Sequence, residues 1–313
     1  MINQNLIMTS NLTTNQNNLA PDQKLPVSII GIYRTIIVFI IGFLVLSGCS
    51  KLDLTPVTSP PTEIYHQGKF VWYDLLTTDV ATAKKFYGEL FGWSFKDQGR
   101  YTVVLNNDQA IGGIVEIIPK DNKRHAAYWL ASLSVPDVDQ AATFVKESGG
   151  IIHEGPVEMK NRGRGVLVSD PQGAQVLLLH SSSGDPTDIK APIGSWLWVE
   201  LWSKDIDASV AFYEELGGYS TVAGEKGYKF LWQERWRAGI RLIPDEKLEV
   251  RWTPTVRVAD TILISKQAEK SGGQVLVQPR NLSIGGSAAL IKDPAGGLLI
   301  VQRWSKQSFA AGE

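Results

Sequence analysis

Short apolar runs and amphipathic stretches alternate along most of this chain, four times over and in the same order. The runs Phe70–Leu76, Trp129–Val135, Trp196–Trp202 and Pro254–Val258 have the length and the aromatic and β-branched content of strands. Each leads to an aspartate (Asp79, Asp137, Asp205, Asp260) placed to cap a helix by accepting from first-turn amides. Apolar positions then recur every three or four residues, as in Val80, Ala83, Phe86, Tyr87 and Leu90, predicting helices over 80–91, 138–148, 206–216 and 261–271. Gly92, Gly149, Gly217 and Gly272 are read as their stops. Three further strands follow in each unit, divided by turn signals such as Asn106-Asn107-Asp108, Asp170-Pro171-Gln172-Gly173 and Asp293-Pro294-Ala295-Gly296. The unit is βαβββ and the fold class is α+β.

The units also repeat in residue identity. Trp72 and Trp198, Asp79 and Asp205, and Phe86 and Phe212 each lie 126 residues apart. Asp137 and Asp260, Ser148 and Ser271, and Asp170 and Asp293 each lie 123 apart. Two kinds of half-unit therefore alternate, and the chain is a tandem duplication. A single βαβββ unit leaves one sheet face open; two side by side curl that face into a cup. The expected organisation is a first domain over 68–182, a linker over 183–194, a second domain over 195–304 and a tail over 305–313.

The first 67 residues break this pattern. Residues 35–46 are an apolar run, too short for a spanning helix of roughly 20 residues but suited to a signal-peptide core. Leu46-Ser47-Gly48-Cys49 follows and resembles the lipobox of bacterial lipoproteins, which implies cleavage after residue 48 and lipidation of Cys49. The expected site of action is the cell envelope, with the chain anchored to a membrane by lipid. Residues 49–67, with Pro56, Pro60 and Pro61, read as an extended tether.

Composition narrows the function classes. Lys and Arg total 31 against 32 Asp and Glu, with no long basic run, so nothing points to nucleic acid. A single cysteine excludes an intramolecular disulfide, and ten tryptophans invite the question of whether they fill cores or line cavities.

The order of these features, a strand ending before Asp, a helix with Phe-Tyr, Leu90-Phe91-Gly92-Trp93 and a late Asp-Pro-x-Gly turn, resembles the vicinal oxygen chelate superfamily. That superfamily includes glyoxalase, extradiol dioxygenases and bleomycin resistance proteins, and the resemblance spans roughly residues 68–304. It implies two cupped-sheet domains. In metal-dependent members it also implies a His, Gln or Glu seven residues before the capping Asp, and a Glu seven residues after the Asp of the late turn. Those positions here are Trp72, Leu130, Trp198, Thr253, Leu177 and Ile300, so no metal or other cofactor is expected. His66, His125, His153 and His180 have no zinc-like spacing.

Strand alternation places Trp72, Asp74 and Leu76 on one cup face and Trp198, Glu200 and Trp202 on the other. Ser132, Ser134, Thr255 and Arg257 join them from the second strand type, with Arg257 expected within reach of Glu200. Trp72, Asp74, Trp198, Glu200, Trp202 and Arg257 are thus the candidate ligand-binding residues, and no catalytic residue is identifiable. The partner they suggest is a small aromatic or cationic molecule. Residues 120–124 read as a solvated hairpin loop, and Trp232 and Trp236 as core or cup lining; Asn161–Gly165 resembles a substrate-side loop of the superfamily but reads first as a simple turn. A binding protein is the first reading. A lyase, isomerase or dioxygenase with atypical metal ligands, or a structural lipoprotein with Trp-filled cups, are the alternatives.

Overall fold

A computed structural model describes residues 54–118, 126–233, 235–244, 248–282 and 285–304. The signal-like run, Cys49 and the 120–124 loop lie outside these residues. Among the described residues no helix is long and apolar enough to cross a membrane.

Four βαβββ units are present. The first has β1 (Phe70–Thr77), α1 (Val80–Phe91), β2 (Ser94–Gln98), β3 (Tyr101–Asn106) and β4 (Gln109–Glu116). The second has β5 (Ala127–Ser134), α2 (Val138–Glu147), β6 (Ile151–Met159), β7 (Gly163–Ser169) and β8 (Gln175–Ser181). The third has β9 (Trp196–Ser203), α3 (Ile206–Gly217), β10 (Ser220–Ala223), β11 (Lys229–Gln233) and β12 (Arg235–Leu242). The fourth has β13 (Arg251–Arg257), α4 (Thr261–Lys270), β14 (Gln274–Asn281), β15 (Ser287–Lys292) and β16 (Leu298–Arg303).

All four capping aspartates accept from amides of the first helical turn. The stop of α3 is Gly218, in the left-handed region at φ 66°, rather than Gly217. Gly217 is the last helical residue, and Tyr219 folds back over it: a Cβ there would sit 2.2 Å from the ring.

Two eight-stranded sheets result, with the orders β2-β3-β4-β1-β5-β8-β7-β6 and β10-β11-β12-β9-β13-β16-β15-β14. In each, the first strands of the two units pair antiparallel at the centre (β1 with β5, β9 with β13), and each also pairs in parallel with the last strand of its own unit. The chain therefore folds as two cupped-sheet domains.

Leu75, Leu133, Leu201 and Val256, on the faces opposite the cups, join the helices in one apolar core that runs through both domains. The domains meet with α1 against α4, α2 against α3 and β5 against β13. A matched pair of buried hydrogen-bond chains crosses this interface. Trp129 Nε1 donates to Tyr87 Oη (2.9 Å), which donates to Asp293 of the other domain (2.8 Å). Trp252 Nε1 donates to Tyr213 Oη (2.9 Å), which donates to Asp170 (3.1 Å). Burial pushes both aspartates above the usual carboxylate range, against hydrogen bonds that lower them. The Phe-Tyr and Asp-Pro-x-Gly motifs are thus the two halves of an interdomain lock.

The N-terminal segment departs from the expected free tether. From Leu54 to His66 it lies along the mouth of the first cup and the 183–195 linker. Val57 is buried against Val71, Trp72 and Leu179. Thr58 donates twice to Ser183, from its amide to the Oγ (3.0 Å) and from its hydroxyl to the carbonyl (2.7 Å), and Asp185 accepts from the His66 amide (2.6 Å) and Ser134 Oγ (2.7 Å). A proline-rich strap with an occasional Val or Thr gains more by covering an apolar rim than by remaining in water.

Candidate functional site

The duplication built the same constellation into both cups, and the two copies differ in what covers it. In the first cup Trp72 Nε1 donates to Asp74 Oδ1 (3.0 Å), as does Tyr101 Oη (2.9 Å). The Tyr101 hydroxyl sits over Gly113, where any Cβ would collide with it at 2.1 Å. Arg162 closes this group. Its guanidinium lies over the Trp72 ring, 4.3 Å from the centroid, donates to Tyr101 Oη (3.0 Å) and stands 3.6 Å from Asp74 Oδ2. Its Nε donates to the Thr55 carbonyl of the strap at 2.7 Å. Arg162 lies in the expected turn, its amide donating to the Met159 carbonyl (3.0 Å), but its side chain, with 1% of the residue exposed, is buried in the cup. Below it, Leu76, Val103, Leu130, Leu167 and Leu177 fill the cup as core. The first cup is closed.

In the second cup Trp198 Nε1 donates to Tyr228 Oη (2.9 Å), which donates to Glu200 Oε1 (3.2 Å). Tyr228 covers Gly239 as Tyr101 covers Gly113. Glu200 Oε2 is buried, with no donor at good hydrogen-bond geometry and with the Trp202 indole nearby. Burial pushes the Glu200 carboxyl above its ordinary range, opposed by Arg241, Tyr228, Trp202 and Arg280 in that order. The nearest cation is Arg241, 3.8 Å from Oε2. Trp202 packs with Leu290, Leu298 and Ile300 as the floor. The group opens into a cleft of about 2280 Å³ that runs on past the strap and Lys69–Tyr73 of the first domain, with aromatic walls that include Trp198, Tyr228, Phe230, Trp232 and Trp236. The last two form an edge-on pair with centroids 4.9 Å apart.

Of the six residues singled out in the sequence, Trp198, Glu200 and Trp202 line or floor the open cup. Trp72 and Asp74 share the first cup and are sealed by Arg162 and the strap. Arg257 is not beside Glu200. Thr253 is the residue paired with Glu200, and four residues of strand at about 3.3 Å each separate it from Arg257. The Arg257 guanidinium instead donates to the Ala191 carbonyl and lies 5.4 Å from the Trp304 ring. Tyr101, Tyr228, Arg241 and Arg280 were not anticipated, and Arg162 was expected only within a turn or a substrate-side loop. The two tyrosines carry a readable signal, since they recur at nearly the same offset as the tryptophans above them.

Trp72, Leu130, Trp198, Thr253, Leu177 and Ile300 offer indole, alkyl and one hydroxyl group where a divalent cation requires imidazole or carboxylate, so this donor set does not fit a metal. Among the described residues no three His, Cys, Asp or Glu side chains cluster as a metal site.

Residues 69–178 match the Glyoxalase/Bleomycin resistance protein/Dioxygenase superfamily. The first domain belongs to the glyoxalase superfamily. The second glyoxalase-like domain repeats its topology strand for strand. The chain is 28% identical over 259 residues to a Mycobacterium bovis protein named "Putative glyoxylase CFP32", covering 79% of this chain and 99% of that one. It is 24% identical to the anthracycline biosynthesis protein DnrV of Streptomyces peucetius, covering 78% and 97%. Among solved structures it shares the fold of the Mn(II)-bound glyoxalase of Novosphingobium aromaticivorans (TM-score 0.56, 13% identity, 80% of this chain and 87% of that one). The 2,3-dioxygenase LapB of Pseudomonas sp. KL28 is similar to the same degree (TM-score 0.54, 14% identity, 79% and 95%).

Proposed function

We propose that this glyoxalase-like chain is a small-molecule binding protein, that its site is the second cup, and that binding there needs no metal. The carrying observation is the contrast between the cups: the same Trp–Tyr–carboxylate group is covered by Arg162 in one and opens onto a cleft of about 2280 Å³ in the other. Trp198, Tyr228 and Glu200 present an aromatic face and a carboxylate at the wall of that cleft, the combination that orients a small ligand. Lipidation at Cys49 is the accompanying proposal; it rests on the Leu46–Cys49 ending and would display the site at the cell envelope.

Calorimetry of the full chain with the neutral probe 2-naphthol, in the presence of EDTA, tests the reading. One saturable site is expected, weakened by Trp198→Phe and unchanged by Trp72→Phe. Absence of saturable binding, or binding that EDTA abolishes, refutes it.

A further inference from the structure

The closed cup is a template for what the open one holds, and the substitutions between them specify its charge. This inference rests on the second cup being the ligand site. The ladder Glu158 with Arg164 in the first domain corresponds to Asn281 with Ser287 in the second, which aligns Arg162 with Gly285. The residue equivalent to the arginine above Trp72 is thus a glycine, which brings no side chain over Trp198. What fits there is flat and polarizable, since a planar group 4.3 Å from the indole centroid is what the first cup stacks at that place.

The occupant does not share the guanidinium's charge. Val115 pairs with Leu76 in the first sheet, and Arg241 holds the same ladder position opposite Trp202 in the second. Val157 pairs with Gly165, and Arg280 holds that position opposite Ala288. Between the repeats the cup has lost one cation, Arg162, and gained two. Asp74 with Arg162 is neutral, whereas Glu200 with Arg241 and Arg280 leaves one positive charge over. The cleft wall adds to it: Lys69 and Arg237 (2.7 Å each) and Arg235 (3.6 Å) all converge on Asp188. Burial pushes the Asp188 carboxyl up, yet hydrogen bonds from Arg237 and Lys69 prevail and hold it far below its ordinary range. A cationic ligand would enter this field against repulsion; an anion is drawn in.

We infer that the second cup binds a planar aromatic anion, stacked on Trp198 with its negative group toward Arg241 and Arg280 and a hydroxyl or N–H donor toward the Glu200 side chain. This replaces a ligand that is aromatic or cationic by one that is aromatic and negatively charged.

Three probes of one ring system separate the possibilities in calorimetric titrations of the full chain: 6-hydroxy-2-naphthoate, 2-naphthol and 2-naphthamidine. The expected order is the anion tightest, by about tenfold over the neutral probe, with the cation weakest. Raising the salt concentration weakens only the anion. Arg241→Gln and the exposed Arg280→Gln should each cost the anion several-fold in affinity and leave 2-naphthol unchanged. If the amidine binds best, or the anion and 2-naphthol bind alike and respond equally to Arg280→Gln, the charge assignment is overturned while the cup stands as the site. If none of the three binds, both fail together.

Discussion

The interdomain lock makes a quantitative demand on Tyr87→Phe. Tyr87 and Trp129 are each 1% exposed and Asp293 3%. Deleting one oxygen therefore leaves the Trp129 indole N–H without an acceptor and Asp293 Oδ2 without the tyrosine donor. Asp293 Oδ1 still accepts from the amides of Ala295 (2.9 Å) and Gly297 (2.7 Å), so the turn itself keeps its shape. An orphaned buried N–H costs about 1–3 kcal/mol, and loss of a bond to a charged acceptor about 1.5–3 kcal/mol. The sum is about 4 kcal/mol, far above the effect of removing an exposed tyrosine hydroxyl. For a folded unit of this size each kcal/mol moves the midpoint by roughly 2–4 °C, so a fall of roughly 8–16 °C is expected by scanning calorimetry. Tyr213→Phe, its counterpart at Asp170, should match it, and the wild type should melt in one transition because the core is shared. A shift under roughly 2 °C, or two separate wild-type transitions, would refute the lock.

Two further outcomes follow from the cups. Glu200→Gln should raise the melting temperature at neutral pH. A folded-state pKa above the ordinary 4.5 means that the carboxyl's contribution is complete below that value and is lost as pH rises through the folded one. The gain over wild type should therefore shrink as pH falls toward 4, and a constant difference in thermal melts across that range would contradict it. In the first cup, Arg162→Met strands Asp74 and should cost about 3–5 kcal/mol in denaturant unfolding, whereas the double variant with Asp74→Asn recovers most of it. Additive losses would show that the pair is not coupled.

The scaffold was legible because it is local. Helix spacing, four capping aspartates and constant offsets are properties of neighbouring residues or of simple repetition, and each corresponds to an observed element. The cup contents were not, for a reason visible in Arg241 and Arg162. The third unit has no Asp-Pro-x-Gly turn to fix its last strand, so Arg241 had no assignable register. Arg162 sits between Asn161 and Gly163 in a stretch that reads as a turn, and only the cup beneath shows that its side chain folds inward. Arg257 lay on the expected face but too far along its strand, because alternation fixes the side of a sheet and not the position along it. Strap and linker pair through scattered Thr, Ser and Asp contacts with no periodicity to betray them.

The reciprocal lock also sets a timetable for making the protein. Tyr87 and Asp293 are separated by 206 residues, yet each needs the other to be satisfied in the folded interior. At elongation rates of about 5–20 residues per second, the first half of the chain waits roughly 10–40 s before its counterpart exists. Throughout that interval its helix-bearing face, with Phe86, Tyr87 and Trp129, lacks the second domain that covers it. A nascent chain of this design is exposed to premature self-association for most of its synthesis. A holding factor is therefore of most use to it before the last twenty residues emerge, and of little use afterwards.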